Sequence, residues 1–110
     1  MNSKETQEKI QELNIIGQNL QSLLLQKQAF QVELNETSSA IEEIKKVKED
    51  EIYKITGQIM IKANKEDILK ELEEKKKLLE LRISSIEKQE KLLEKKSEEI
   101  REEIQKSGKK

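Results

Sequence analysis

Apolar side chains recur along the first half of the chain at alternating intervals of three and four residues. Leu13, Ile16, Leu20, Leu23, Phe30, Leu34, Ile41 and Ile44 occupy the series, with Lys27 and Thr37 at its remaining positions. Such spacing, sustained over several heptads, is the seam of a coiled coil and predicts one long helix over 4–48. A second series runs through Leu69, Leu72, Lys76, Leu79, Ile83, Ile86, Glu90, Leu93, Ser97, Ile100 and Ile104, and predicts a second helix over 65–107. Lys76, Glu90 and Ser97 interrupt it without shifting its phase. Lys27 is expected to lay its stem along the seam with its ammonium in water.

Between the two series lies EIYKITGQIMIKAN, from Glu51 to Asn64. Its β-branched density disfavours helix and suits a pleated surface, so 51–63 is expected to be a β-hairpin with its tight turn at Thr56-Gly57. Gly57 can supply the positive φ that such a turn needs. A two-stranded ribbon has two open edges and little buried area, and it therefore needs neighbours, most simply hairpins of similar chains. Asn64 is placed to cap the second helix, with Asp67 as the acid of a capping box and Glu66 adding negative charge at the helix N-terminus. The helix is expected to fray near Gly108. A hairpin linker makes two helices of nearly equal length antiparallel. The fold class expected over 1–110 is mainly α: a long antiparallel two-helix coiled coil joined by a β-hairpin.

Composition narrows the function. Only 33% of the 110 residues are apolar and 41% are charged, which suits long helices better than a compact mixed core. An unfolded chain shares that composition, and the regular seam argues against it. The 22 basic and 23 acidic side chains balance, and no positive stripe of the kind nucleic acids require runs along the chain. The nearest candidates are Lys75-Lys76-Lys77 and the terminal Lys106, Lys109 and Lys110. No apolar run is long enough to span a membrane or to read as a secretion signal, so a cytoplasmic protein is expected.

Catalytic chemistry finds no support. The chain has no His and no Cys, hence no imidazole base, no thiolate and no ordinary zinc site. Ser38-Ser39 and Ser84-Ser85 have no adjacent base, and Gly108-Lys109 lacks the strand and glycine-rich turn of a phosphate loop. Glu73 with Lys77 and Glu87 with Lys91 sit at the spacing of solvated helix pairs. No enzyme activity, cofactor or metal is expected.

Some apolar residues lie off the seam: Ile10, Ile15, Leu24 and Leu25 on the first helix, and Leu78, Leu81 and Leu92 on the second. From Ile10 to Leu34 the only charged residues are Glu12, Lys27 and Glu33, and the polar positions are mostly Gln, Asn and Ser. Exposed apolar residues in such a setting point to a contact surface, or to sites that neighbours in an oligomer cover.

The middle stretch also carries a family resemblance. Ile52-Tyr53-Lys54, two variable residues, Gly57 and the strand Ile59-Met60-Ile61-Lys62 resemble the hairpin of beta-type prefoldin subunits, and QKQAFQVELNET in the first helix has the Gln-rich character of that family. The likeness extends over essentially the whole chain and is of the archaeal type, given the short termini. It implies an assembly of two alpha-type and four beta-type subunits whose hairpins close into a β-barrel body carrying coiled-coil tentacles. It further implies a holdase that works without ATP, gripping non-native proteins at the distal ends and delivering them to a group II chaperonin.

The oligomerisation residues expected on this basis are Ile52, Tyr53, Ile55, Gly57, Ile59, Met60 and Ile61. Tyr53, Ile55, Ile59 and Ile61 are expected to fill the barrel interior, with Met60 and Ile52 entering under a different register. Client-binding residues are expected at Ile10, Leu13, Ile15, Ile16 and Leu20, facing Leu93, Ile100 and Ile104, with opening of the seam eased at Glu90, Ser97 and Gly17. The competing readings are a scaffold coiled coil in which the middle segment only multimerises, a periplasmic jellyfish-like chaperone, which needs a secretion signal, and a nucleic-acid binder, which the charge balance disfavours.

Overall fold

The computed structural model describes residues 2–108; Lys109 and Lys110, part of the basic C-terminal cluster singled out above, lie outside them. The element order is α1 (Ser3–Lys46), β1 (Glu51–Thr56), β2 (Ile59–Asn64) and α2 (Lys65–Gly108). The first helix stops at Lys46, short of Lys48: the Val47 amide donates to the Ile44 carbonyl in a tightened final turn, and the chain then bends toward the hairpin.

Both helices start on an asparagine. The Asn2 side-chain oxygen accepts from the Glu5 amide at 2.9 Å, and that of Asn64 accepts from the amides of Glu66 at 2.9 Å and Asp67 at 3.4 Å. Each thereby satisfies amides that the first helical turn leaves without partners.

Two compact units make up the chain. One, called distal because its residues are furthest from the hairpin along the sequence, joins the stretch up to Gln28 with the stretch from Ser84 onward; the other, called basal because it contains the hairpin, runs from Ala29 to Ile83. Within each, α1 and α2 segments run antiparallel, bridged by Lys9–Glu103 and Lys27–Glu90 in the distal unit and by Glu33–Lys75 and Lys45–Glu73 in the basal unit. Glu73 thus reaches across to α1 instead of pairing with Lys77 along its own helix.

Every position of the two heptad series is buried or half-buried, the polar ones included. The least exposed apolar side chains are Ile16, Ile41, Leu79, Ile86 and Ile100. Thr37 tolerates its buried place by donating its hydroxyl to the Glu33 carbonyl one turn back, at 2.8 Å. The Arg82 guanidinium lies over the ring of Phe30, 5.5 Å from its centre, covering an aromatic face that a narrow seam leaves partly open.

β1 and β2 form a two-stranded antiparallel sheet, so both strands are edge strands. The turn residues are Gly57 and Gln58, one step later than the sequence suggested, because Thr56 still pairs with Ile59. Gly57 has φ +64° and, among the described residues, no non-glycine residue has positive φ, the pattern of a type II′ turn with glycine first.

This register corrects the expected barrel-facing set. Residues directly opposite each other share a face, so Tyr53 and Ile55 lie with Met60 and Lys62, whereas Ile59 and Ile61 lie with Ile52 and Lys54. Tyr53, Ile55, Ile59 and Ile61 therefore do not form one face.

The hairpin is fixed to the helices at its base. The Lys65 amide donates to the Asp50 carbonyl at 2.7 Å, and the Lys65 ammonium to the Val47 carbonyl. Lys54 reaches Glu71 of α2 at 3.4 Å, and Lys62 pairs with Glu51 across the strands at 2.8 Å. Among the described residues no helix is long and apolar enough to cross a membrane.

Candidate functional sites at the hairpin and the distal unit

Alternation along two short strands places large apolar side chains on both faces of the hairpin, and among the described residues nothing covers most of them. Tyr53 is 66% exposed, Ile55 71%, Ile59 65% and Met60 64%, with Ile61 only a little less open. Ile52 alone among the expected oligomerisation side chains is half-buried. It lines a groove of about 410 Å³ with Ile44 and Val47 at the end of α1, Ile68 at the start of α2, and Tyr53 and Lys54 beside it. In a chain of mean hydropathy −0.89, an apolar ribbon open on both faces and along both edges has the makings of an interface.

The expected client-binding residues all fall in the distal unit, but with different access. Ile16 and Ile100 are seam core, 6% and 4% exposed. Leu13, Leu20, Leu93 and Ile104 are half-buried seam residues, and Ile10 and Ile15 stand exposed on α1. Ile15, Ile16 and Leu93 meet in one groove of about 300 Å³, which Glu12, Asn19 and Lys96 also line. The groove offers apolar surface without any separation of the helices. Ile10 lies apart from it, in a polar concavity with Lys4, Gln7, Glu8, Gln11 and Asn14.

Lys27 and Glu90 stand in the seam as partners. Their Nζ and Oε1 atoms are 2.7 Å apart. Bonding to Glu90 holds the Lys27 ammonium above its ordinary pKa against the opposing effect of burial. The ammonium is therefore not left to water, and Glu90 does not simply weaken the seam. The two residues are 63 positions apart, so periodicity marked each as an exception and only the antiparallel alignment joins them. Lys9 is likewise raised, first by its hydrogen bond to Glu103.

Gly17 is different from Gly57. It sits in the helix with open space where a Cβ would point, so no close approach requires it.

Known proteins share this arrangement. Residues 7–110 match the family described as prefoldin subunit. The chain is 41% identical over 101 residues to the prefoldin subunit beta of Pyrobaculum islandicum, covering 91% of this chain and 81% of that one. It is 45% identical over 89 residues to the prefoldin subunit beta of Thermococcus onnurineus, covering 80% and 77%. The crystal structure of the prefoldin beta subunit from Thermococcus strain KS-1 superposes with a TM-score of 0.90 at 34% identity, covering 96% of this chain and 94% of that one. Two capped helices with a shared seam, an uncovered hairpin between them and these likenesses lead to one conclusion: the chain belongs to the prefoldin family, among its archaeal-type beta subunits.

Proposed function

We propose that this chain is the beta-type subunit of an ATP-independent cytoplasmic holdase. Its hairpin assembles with alpha-type partners, two alpha to four beta subunits, into a β-barrel body. Its distal unit grips non-native proteins for delivery to a group II chaperonin. Family membership supports the chaperone role, and the observation that carries the gripping site is the groove where exposed Ile15 meets Ile16 and Leu93. A non-native chain presents apolar side chains in no fixed order, and a shallow apolar groove suits such a ligand. One or two buried side chains give each arm about 2–6 kcal/mol before ordering costs. Several arms on one client raise the overall grip through effective concentration while each arm still releases singly.

The register divides the hairpin's work. Tyr53, Ile55 and Met60 serve one contact surface, and Ile52, Ile59 and Ile61 another, so each copy has two apolar faces to contribute to the body.

The reading is tested with the complex formed with an alpha-type partner. Replacing the exposed Ile10 and Ile15 (Ile10→Ser with Ile15→Ser) spares the seam core. Deletion of 1–16 and 95–110 removes the distal ends outright. Both forms are expected to keep the subunit composition of the intact complex, and to lose suppression of aggregation of a chemically denatured protein without nucleotide. Undiminished suppression by the deletion would reject the distal site. A scaffold protein would assemble equally well and suppress nothing in any form.

A further inference from the structure

The Lys27–Glu90 pair occupies positions where the rest of the seam is mostly Leu and Ile. Its side chains are only 27% and 14% exposed. A partly desolvated ion pair adds little stability compared with a well-packed apolar pair, so stability alone does not account for a charge on each helix at this level. What complementary charges in a seam provide is discrimination among partners.

We infer that Lys27 and Glu90 are the pair that makes α1 take the α2 of its own chain, antiparallel and in this alignment, in preference to any other helix it meets. The apolar layers cannot make that choice, because Leu and Ile pack acceptably against one another in many alignments. Consider the alternatives. Sliding α2 by one heptad sets Lys27 against Ile83 and Glu90 against Leu20; sliding it the other way sets Lys27 against Ser97 and Glu90 against Leu34. Pairing α1 in parallel with α1 of a second copy sets Lys27 against Lys27, and the same pairing of α2 sets Glu90 against Glu90. Each leaves a charge in the seam without its partner, which is far more costly than the native pair.

The hairpin tether does not replace this function. It fixes the start of α2 beside the end of α1, but it does not stop the distal stretches of two neighbouring copies from exchanging partners, an ordinary route to swapped dimers. The proposal rests on the seam alone and holds whether or not the distal unit grips clients.

The chain contains no cysteine, so a pair of introduced thiols reports pairing without background. Positions 20 and 97 lie one heptad from 27 and 90 on the respective helices, in the layer beyond the ion pair. In full-length protein carrying Leu20→Cys with Ser97→Cys, mild oxidation is expected to give an intrachain disulfide almost entirely. Adding Lys27→Glu with Glu90→Lys restores complementary charge in reverse, and the product is expected to stay intrachain. Lys27→Glu alone sets two carboxylates together, and intrachain cross-linking and the melting midpoint are both expected to fall.

The deciding variant is Lys27→Leu with Glu90→Leu. It is expected to melt higher than the parent and yet yield a substantial fraction of interchain disulfide. A merely structural pair would show the higher midpoint with no change in product. The inference is overturned if the Leu/Leu variant cross-links as purely within the chain as the parent does, or if the exchanged charges fail to restore what Lys27→Glu loses.

Discussion

Ile55 stands directly opposite Met60 across the hairpin, and Tyr53 lies on the same face two residues further along, opposite Lys62. The three apolar side chains form a continuous exposed patch at the turn end of that face, with the Lys62–Glu51 ion pair closing it toward the helices. The opposite face carries the exposed Ile59 and Ile61, with half-buried Ile52 nearer the helices. A ribbon coated on both sides in this way has no inside of its own.

Introducing a carboxylate into the Ile55–Met60 pair is therefore expected to act on assembly and not on the helices. Ile55→Asp should leave the helical circular dichroism unchanged while native mass spectrometry shows loss of the complex with an alpha-type partner. A complex of full mass would show that this face lies outside the interface.

The two structurally defined glycines predict effects of opposite sign. Gly57 has φ +64° in open space, so Gly57→Ala meets no clash but forces an unfavourable backbone conformation, costing about 1–3 kcal/mol at the turn. Gly17 is an exposed helical residue with room for a methyl group, and Gly17→Ala is expected to stabilise by about 1 kcal/mol. Urea denaturation of the two variants checks both signs.

Asn64 caps α2 where the hairpin meets the helix, and Asn64→Ala is expected to cost about 1 kcal/mol. Asn64→Asp keeps an oxygen in place and should cost less. Hydrogen exchange at the amides of Glu66 and Asp67, which Asn64 accepts from, should accelerate in the alanine variant ahead of the rest of the helix.

Alkaline pH should weaken the distal unit through Lys9 and Lys27. Both ammonium groups are raised above the ordinary 10.5 by their glutamate partners. A raised folded-state pKa means that this stabilisation is complete below the unfolded value and disappears as pH climbs through the folded one. The melting midpoint is thus expected to fall above about pH 10.5, and the fall should be smaller in Lys27→Leu with Glu90→Leu. An equal fall in that variant would assign the effect to other groups.

Periodicity made the helices legible because a heptad seam is a local, repeated signal: every position assigned to it from Leu13 to Ile44 and from Leu69 to Ile104 is at least half-buried. Where one residue decides a geometry, no repeat along the chain announces it. Moving a two-residue turn from Thr56-Gly57 to Gly57-Gln58 slides the pairing by two residues and leaves the faces as they were; grouping Tyr53 and Ile55 with Ile59 and Ile61 would need a loop of odd length, because a two-residue turn sets odd-numbered residues of β1 opposite even-numbered residues of β2. A type II′ turn places glycine first of the two turn residues, and that rule would have found the register.

The Lys27–Glu90 pair was hidden for another reason. Each residue looks like a defect in its own helix, and only an antiparallel count from the hairpin brings them level. Asn2, by contrast, was readable from Asn2-x-x-Glu5 as a cap, the same logic that identified Asn64. The distal groove drew on both kinds of signal, for Ile16 and Leu93 belong to the seam while Ile15 stands off it. Access to their side chains required the helices to be set side by side.

The two-stranded sheet leaves one rim of each strand free, so every copy is bivalent in its backbone. Bivalent units joined rim to rim either close on themselves or grow as an unbounded ribbon, and the angle at each joint decides between the two. Assembly size is thereby a matter of curvature more than of adhesive strength, and a second type of subunit with a differently bent joint is a direct means of making the circle close.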